Sequence, residues 1–218
     1  MVELVTIPAS FFELIAEYER PAIHLLIDRG AVVQAIFDAL KPWNPRIDDI
    51  ESHTTGKHSE QGVTFRLPTK HVSFFFGAAA CRFARDAVDW TSAEETINML
   101  DTCLSALLRH AGVAWVTQKT AIGVHIQPRT KNFVDILRPF LVHELAMLDQ
   151  GPLQTMAVVA KWGKRRLTLD GSGLLANALF VKLEREFETS ISYEAMAQQL
   201  HADEEELFRI LGIEEERG

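Results

Sequence analysis

Residues 92–111 read SAEETINMLDTCLSALLRHA. The apolar residues of this stretch recur at spacings of three and four, which is the pattern of an amphipathic helix. Ser92 is followed three residues later by Glu95, as in a capping box, and Gly112 supplies a common helix end. The sequence therefore predicts a long helix here, with one apolar face that must be buried.

The sequence on both sides of this helix predicts β-strands. Residues 62–86 precede the helix and residues 113–128 follow it. In Gly62–Leu67 apolar and polar residues alternate, as expected of a strand with one buried face. His71–Gly77 is apolar on both faces, which favours a central strand. We therefore expect an α+β fold, with long amphipathic helices packed on a largely antiparallel sheet.

Three further patterns complete the predicted arrangement. Leu175, Leu179, Leu183 and Phe187 recur every four residues, so we predict a second long helix over 174–188. Ser10, three residues before Glu13, predicts a short helix over 11–19. The remaining predicted elements are a hairpin over 156–170 that turns at Gly163-Lys164, and two helices at 192–200 and 203–211.

These elements suggest a division of the chain. We expect one α+β domain over residues 1–189, with possible similar halves at 22–111 and 113–189. Each half would contain a β-rich stretch followed by a long helix. Residues 190–218 would then form an acidic helical appendage, since the chain from Glu188 onwards has nine acids and two bases.

Composition restricts the partners and the compartment. The net charge is −8, and an acidic appendage repels phosphate, so nucleic acid is not an expected partner. The first residues lack the charged and apolar regions of a signal peptide, and no apolar run approaches the ~20 residues of a membrane helix. Two cysteines favour buried free thiols over a disulfide. We expect a cytoplasmic protein that does not bind a membrane.

Two segments carry a resemblance to a known family. They are TQKTAIGVHIQPRTKNFVDILRPF at 117–140, and LTLDGSG at 167–173 with EREFETSIS at 184–192. They resemble a sporadically distributed bacterial family of uncharacterised proteins, over about residues 22–192. That family has a strand reading roughly Arg-Ile-Gly-Leu-Arg-Tyr-Ile-Asn after its long helix, where this chain has Val124, His125 and Gln127. The resemblance supports the fold and implies no activity, cofactor or site.

His125 is the candidate catalytic residue. It shares the polar face of a predicted strand with Gln127, and Gly123 between them leaves space. An imidazole that lines a cleft can act as a general base or as a ligand donor. No serine, cysteine or carboxylate partner stands at a recognisable spacing, so a hydrogen-bonded structural histidine is the alternative interpretation.

The predicted hairpin contains the candidate ligand-binding residues, which are Lys161, Trp162, Lys164, Arg165 and Arg166. Basic side chains can bind a phosphate backbone while an indole stacks on a base. Lysine and arginine at a hairpin tip also maintain solubility and protect a sheet edge. Nucleic-acid or nucleotide binding is therefore an alternative function.

His53 and His58 are the candidate metal ligands. They flank a glycine-containing turn, and Asp49, Glu51 and Glu60 lie nearby in the sequence. Imidazole and carboxylate groups at such spacing can hold zinc, but specific motifs such as His-Glu-x-x-His are absent from the sequence. A polar hairpin explains the same residues, and we expect no metal and no cofactor.

The sequence as a whole favours a non-catalytic binding or assembly protein. We expect it to form a homodimer or to bind a protein partner or ligand, through its sheet face or its terminal helices. The excess of aromatic residues, with 13 phenylalanines and 4 tryptophans, motivates the dimer. An enzyme with a cleft around His125 is the alternative from another class.

Overall fold

The structure is a computed structural model that describes residues 2–58, 60–88, 93–140 and 157–216. The strands within these ranges are β1 (Glu3–Tyr18), β2 (Ile50–His53), β3 (Gly62–Leu67), β4 (Val72–Gly77), β5 (Ala80–Asp86), β6 (Trp115–Pro128), β7 (Val158–Trp162), β8 (Arg165–Gly171), β9 (Leu179–Phe187) and β10 (Ile213–Glu215). The helices are α1 (His24–Ile27), α2 (Gly30–Ala39), α3 (Ala93–Ala111), α4 (Phe133–Leu137) and α5 (Tyr193–Leu211). The strand pairing is mostly antiparallel, so the predicted α+β class is confirmed.

The described residues divide into two compact units. The α3 unit contains residues 11–120 and 186–197, and the α4 unit contains residues 1–10, 121–185 and 198–218. Strands β1, β6 and β9 and helix α5 each contribute residues to both units. The expected domain over 1–189, its possible halves at 22–111 and 113–189, and the appendage at 190–218 stay predictions.

In the α3 unit, antiparallel strands follow the order β2-β3-β4-β5-β1. Alternation along β3, β4 and β5 buries Phe65, Phe74, Phe76 and Phe83. Helix α3 confirms the prediction for residues 92–111, although Ser92 itself lies outside the described residues. It packs against α2 and buries its apolar stripe, which includes Met99, Leu100, Cys103, Leu104 and Leu107.

In the α4 unit, β7 pairs with β8 and β8 pairs with β9, both antiparallel. The predicted hairpin is therefore confirmed where it is described, from Val158 onwards. Strand β10 pairs in parallel with the start of β1, from Glu3↔Ile213 to Val5↔Glu215. The core includes residues from the expected appendage, because Leu207, Leu211 and Ile213 pack with Val124, Ile126 and Val181.

The predicted helix over 174–188 is wrong, because residues 179–187 form strand β9. A spacing of four residues is twice the two-residue period of a strand. The same leucines therefore lie on one face of either a helix or a strand. Leu179, Val181 and Leu183 are buried, whereas Phe180 and Lys182 between them are half-buried. The two similar halves were predicted because each would contain a β-rich stretch followed by a long helix. Since residues 179–187 are a strand, the second of these long helices is absent there.

Two other predicted helices differ from the structure. Residues 11–18 belong to the 16-residue strand β1, in which Phe12, Leu14 and Ala16 alternate with more exposed positions. The predicted helix pair after Ser192 is the single helix α5 of 19 residues. No glycine or proline separates Leu200 from Asp203, and Asp203 makes ion pairs instead of capping a new helix.

Among the described residues, no helix has the length and apolar character needed to span a membrane.

Candidate functional site

The α4 unit contains an apolar groove with a cavity volume of about 210 Å³. Strands β8 and β9 form one wall, and one face of α5 forms the other. The residues that line it are Phe140, Trp162, Arg165, Leu167, Leu169, Leu183, Asp203, Glu206, Leu207 and Ile210. A concave apolar surface with a few polar groups is the usual form of a ligand site.

The periodicity of the elements places these residues together. Along β8, Arg165, Leu167 and Leu169 lie on one face because strand side chains alternate. Trp162 on β7 pairs with Arg165, so its indole lies on that same face. On α5, the positions 203, 206, 207 and 210 lie on one side because they are three, four and seven residues apart.

A cluster of charged side chains forms one side of the groove. The carboxylate of Asp203 lies 3.1 Å from Nη1 of Arg165 and 2.6 Å from Nη1 of Arg185. Its side chain is only 6% exposed, so these contacts replace the water it would otherwise bind. Glu206 lies farther away, with 3.8 Å between its carboxylate and Nη1 of Arg165. Asp203 therefore holds both strands against α5.

The outer parts of the groove are apolar and accessible. Phe140 is 37% exposed, Trp162 is 46% exposed and Ile210 is 53% exposed. The floor is buried, since Leu169 and Leu207 belong to the core of the α4 unit. Large apolar side chains that are exposed around a concave surface are typical of a binding site.

The structure separates the five candidate residues of the hairpin. Trp162 and Arg165 line the groove, whereas Lys161 and Arg166 pair with each other on the opposite face of the strands. Arg166 lies 3.6 Å from the carboxylate of Glu184, and Lys164 is in the turn. Because Arg165 and Arg166 both face carboxylates, the hairpin does not present one continuous basic surface.

His125 is buried in the α4 unit and has a serine neighbour. Its Nδ1 lies 2.8 Å from Oγ of Ser172, and its ring lies 4.9 Å from the ring of Phe180. Burial lowers the pKa of His125, which favours the neutral imidazole. Oγ of Ser172 also accepts hydrogen bonds from the backbone N–H groups of Leu174 and Leu175. This arrangement stabilises a turn and holds the imidazole in place.

His53 and His58 lie in a polar part of the α3 unit. Nε2 of His53 lies 2.9 Å from Oγ1 of Thr64 and 4.0 Å from the carboxylate of Glu51. Within the ranges that the structure describes, no group of three or more histidine, cysteine or acidic side chains is arranged to hold a metal ion. His53 is instead part of the contacts between β2 and β3.

Sequence reasoning missed the half of the groove that α5 provides. Asp203 and Glu206 fall in the second of the two short helices predicted at 192–200 and 203–211. The available signal was the spacing of Asp203, Leu207 and Ile210, which share one helical face once the two predicted helices are joined. The partners on β8 and β9 could not be found from spacing, because they depend on the tertiary fold.

Comparison of the chain with protein-family profiles and with curated proteins finds no match.

Proposed function

We propose that this protein is a non-catalytic binding protein and that the groove of the α4 unit is its binding surface. The observation that carries the proposal is the exposure of Phe140, Trp162 and Ile210 around a concave apolar floor. An occupant that covers these side chains removes apolar surface from water, at about 25 cal/mol for each Å². Burial of this surface stabilises the complex without any chemical reaction, which is why a non-catalytic role is proposed.

The charged cluster supports a binding role. Asp203 connects α5 to β8 and β9 through contacts of 2.6–3.1 Å, so the walls are held before anything binds. A preorganised site loses less conformational entropy on binding than one that must first form. The groove is therefore suited to recognition.

The assembly and the compartment belong to the same proposal. We expect a homodimer, for which the many aromatic residues and the exposed apolar side chains provide support. We also expect the protein to work in the cytoplasm. Cys81 and Cys103 are both free and buried, as is common for thiols in a reducing compartment.

The test uses a neutral apolar dye, N-phenyl-1-naphthylamine, whose fluorescence rises in an apolar site. The variant I210D places a charge at the groove and should weaken dye binding at least tenfold. The variant I27D is the matched control, because Ile27 is an exposed isoleucine of α1 in the α3 unit. It should bind like the unchanged protein.

Equal binding by I210D and I27D, or no binding by the unchanged protein, would overturn the proposal. Native mass spectrometry of the same three proteins reports the number of subunits. A dimer is the expected result, and a monomer at micromolar concentration would remove the assembly part of the proposal.

A hydrolytic enzyme is the second candidate, and the contact between His125 and Ser172 favours it. A histidine that accepts the proton of a serine hydroxyl can activate that oxygen as a nucleophile. A fluorophosphonate probe should then label Ser172, and H125Q should abolish the labelling. The groove proposal expects no labelling, since the same oxygen already accepts two backbone N–H groups.

A further inference from the structure

We infer that the occupant of the groove is a small uncharged aromatic molecule, of one ring or of two fused rings. This inference rests on the proposed function and adds the chemical class of the occupant. Three features of the groove support it, which are its paired charges, its exposed aromatic side chains and its volume.

The charged side chains that line the groove are already paired with opposite charges. Nη1 of Arg165 lies 3.1 Å from the carboxylate of Asp203 and 3.8 Å from that of Glu206. The carboxylate of Asp203 also lies 2.6 Å from Nη1 of Arg185. The carboxylate of Glu206 also lies 4.0 Å from Nη2 of Arg209. None of the three lining charges therefore requires an ionic group of a ligand as its partner.

A charged ligand would lose water in this groove without gaining a comparable partner. A carboxylate that approaches Arg165 also approaches Asp203 and Glu206, which repel it. An ammonium group that approaches either of these acids also approaches Arg165. Removal of an ionic group from water is costly, whereas an uncharged group avoids most of that cost. The charges of the groove therefore complement an uncharged occupant.

Two aromatic side chains in the lining suit an aromatic occupant. Trp162 is 46% exposed and Phe140 is 37% exposed. None of the ring contacts found within the described part of the chain involves either side chain. Aromatic rings attract each other in offset-stacked or edge-to-face arrangements, in addition to the effect of buried area. A ring in the groove can form such a contact with Trp162.

The volume of the groove limits the size of the occupant. About 210 Å³ is below the range of roughly 300–1,000 Å³ that is typical of drug-sized ligands. An apolar cavity of about 150 Å³ is sufficient for benzene. The groove therefore fits one substituted ring or two fused rings. Leu167, Leu183 and Leu207 provide further apolar contacts for such a molecule.

The first experiment compares three ligands that share one ring system and differ in charge. They are 2-naphthol, 2-naphthoate and 2-naphthylmethylammonium, and isothermal titration calorimetry at pH 7 measures their binding. We expect uncharged 2-naphthol to bind roughly tenfold or more tightly than either ion, because the ions lose more hydration. Equal or tighter binding of either ion would overturn the inference.

The second experiment tests the aromatic character of the occupant. Decahydro-2-naphthol has the same carbon skeleton and hydroxyl group as 2-naphthol but no aromatic ring. The unchanged protein should prefer 2-naphthol about threefold to tenfold. W162L keeps an apolar side chain and should reduce this preference. The matched control is V159A, because Val159 lies on the opposite face of β7 and is 59% exposed.

V159A should leave the affinities of both alcohols unchanged. Equal binding of the two alcohols by the unchanged protein would overturn the inference. A preference for 2-naphthol that stays the same in W162L would also overturn it.

The third experiment tests the charge argument with E206Q. Glu206 is 52% exposed, so the protein should tolerate the change. Loss of this acid reduces the repulsion of a carboxylate, and the affinity for 2-naphthoate should rise about threefold or more. The affinity for 2-naphthol should not change. E205Q is the matched control, because Glu205 is the neighbour of Glu206 on α5 and is 70% exposed. An equal rise in both variants, or no rise in E206Q, would contradict the charge argument.

The outcomes separate the inference from the proposed function. If 2-naphthoate binds as tightly as 2-naphthol and I210D weakens both, the groove is a binding site but the inference is wrong. If none of the naphthyl ligands binds while the neutral dye binds and I210D weakens the dye, the inference again falls alone. If the dye itself also fails to bind, the proposed function falls as well.

Discussion

Helices α3 and α5 have the same length of 19 residues and different roles. Helix α3 buries its apolar stripe in the α3 unit. In the α4 unit, α5 places a buried acid, Asp203, among its apolar positions and leaves Ile210 53% exposed. Helix α3 thus shows the pattern of a core helix, whereas α5 departs from that pattern at the residues that line the groove.

The charged clusters on the two helices differ in the same way. Glu95 of α3 faces Lys70 and Arg85, so there too one carboxylate serves two cations. Its side chain is 34% exposed, compared with 6% for Asp203. Water therefore screens the ion pairs of Glu95 more than it screens those of Asp203.

The largest expected effect tests the apolar faces of the helices. Leu107 of α3 is fully buried, so L107A should reduce the free energy of unfolding by about 3.5 kcal/mol. The exposed Ile210 should tolerate I210A with a change within about 0.5 kcal/mol. Urea denaturation followed by circular dichroism measures both. Similar losses of unfolding free energy in L107A and I210A would contradict the difference between the two helices.

The next effect tests the charged clusters. D203N removes the anion that Arg165 and Arg185 share. It should reduce the free energy of unfolding by about 3 kcal/mol. E95Q, in the more exposed cluster, should cost about 1 kcal/mol. The same urea titrations, made at low and high salt, give both values. A larger loss in E95Q than in D203N would contradict the comparison.

The third effect concerns Glu3, which lies at the start of β1 in the α4 unit. Its carboxylate accepts hydrogen bonds from the hydroxyl and N–H of Thr130 and from the N–H of Lys131. The hydroxyl bond contributes most, and together these bonds lower the pKa of Glu3 from 4.5 to about 2. The carboxylate is therefore held in its charged form.

A folded-state pKa below the unfolded value stabilises the protein above the unfolded pKa. This contribution should be complete above about pH 5 and should disappear as the pH falls towards 2. The unchanged protein should therefore exceed E3Q in stability at pH 7, and this difference should shrink as the pH falls below about 5 and be lost as the pH passes through about 2. Denaturation at pH 7, 4 and 2.5 checks this, and a difference that does not depend on pH would refute it.

The smallest expected effect tests whether Ser172 is structural. S172A removes the acceptor for the N–H groups of Leu174 and Leu175 and should cost about 1 kcal/mol. S192A is the matched control, because among the described hydrogen bonds the hydroxyl oxygen of Ser192 accepts one backbone N–H, that of Ala195. It should cost less. Denaturation curves of the two variants provide the measurement.

The sequence correctly predicts those elements whose residue pattern fits only one type of secondary structure. The helix at residues 93–111 and strand β3 at Gly62–Leu67 follow directly from their periodicity. The sequence was insufficient where a pattern fits two structures, as with the leucines of β9, or where a capping signal lies inside a strand, as at Ser10 and Glu13 of β1. In those segments tertiary pairing decides the conformation.

The candidate site could be predicted only in part. Trp162 and Arg165 were identified because basic and aromatic residues cluster in the sequence. That cluster suggested nucleic-acid or nucleotide binding and not an apolar groove. Asp203 and Arg185 meet only because α5 crosses β9, and no local pattern contains that contact. The partnership of His125 and Ser172 also depends on the pairing of distant segments.

The pairing of β1 with β10 has a consequence for synthesis in the cell. The first residues of β1 pair with residues 213–215, and the N–H of Glu216 donates to the carbonyl of Val5 at 2.8 Å. Ribosomes add roughly 5–20 residues per second, so the start of β1 waits many seconds before its neighbour emerges. The residues assigned to the α3 unit end at 197, so they have all been synthesised before residues 213–215, which complete the pairing of β1.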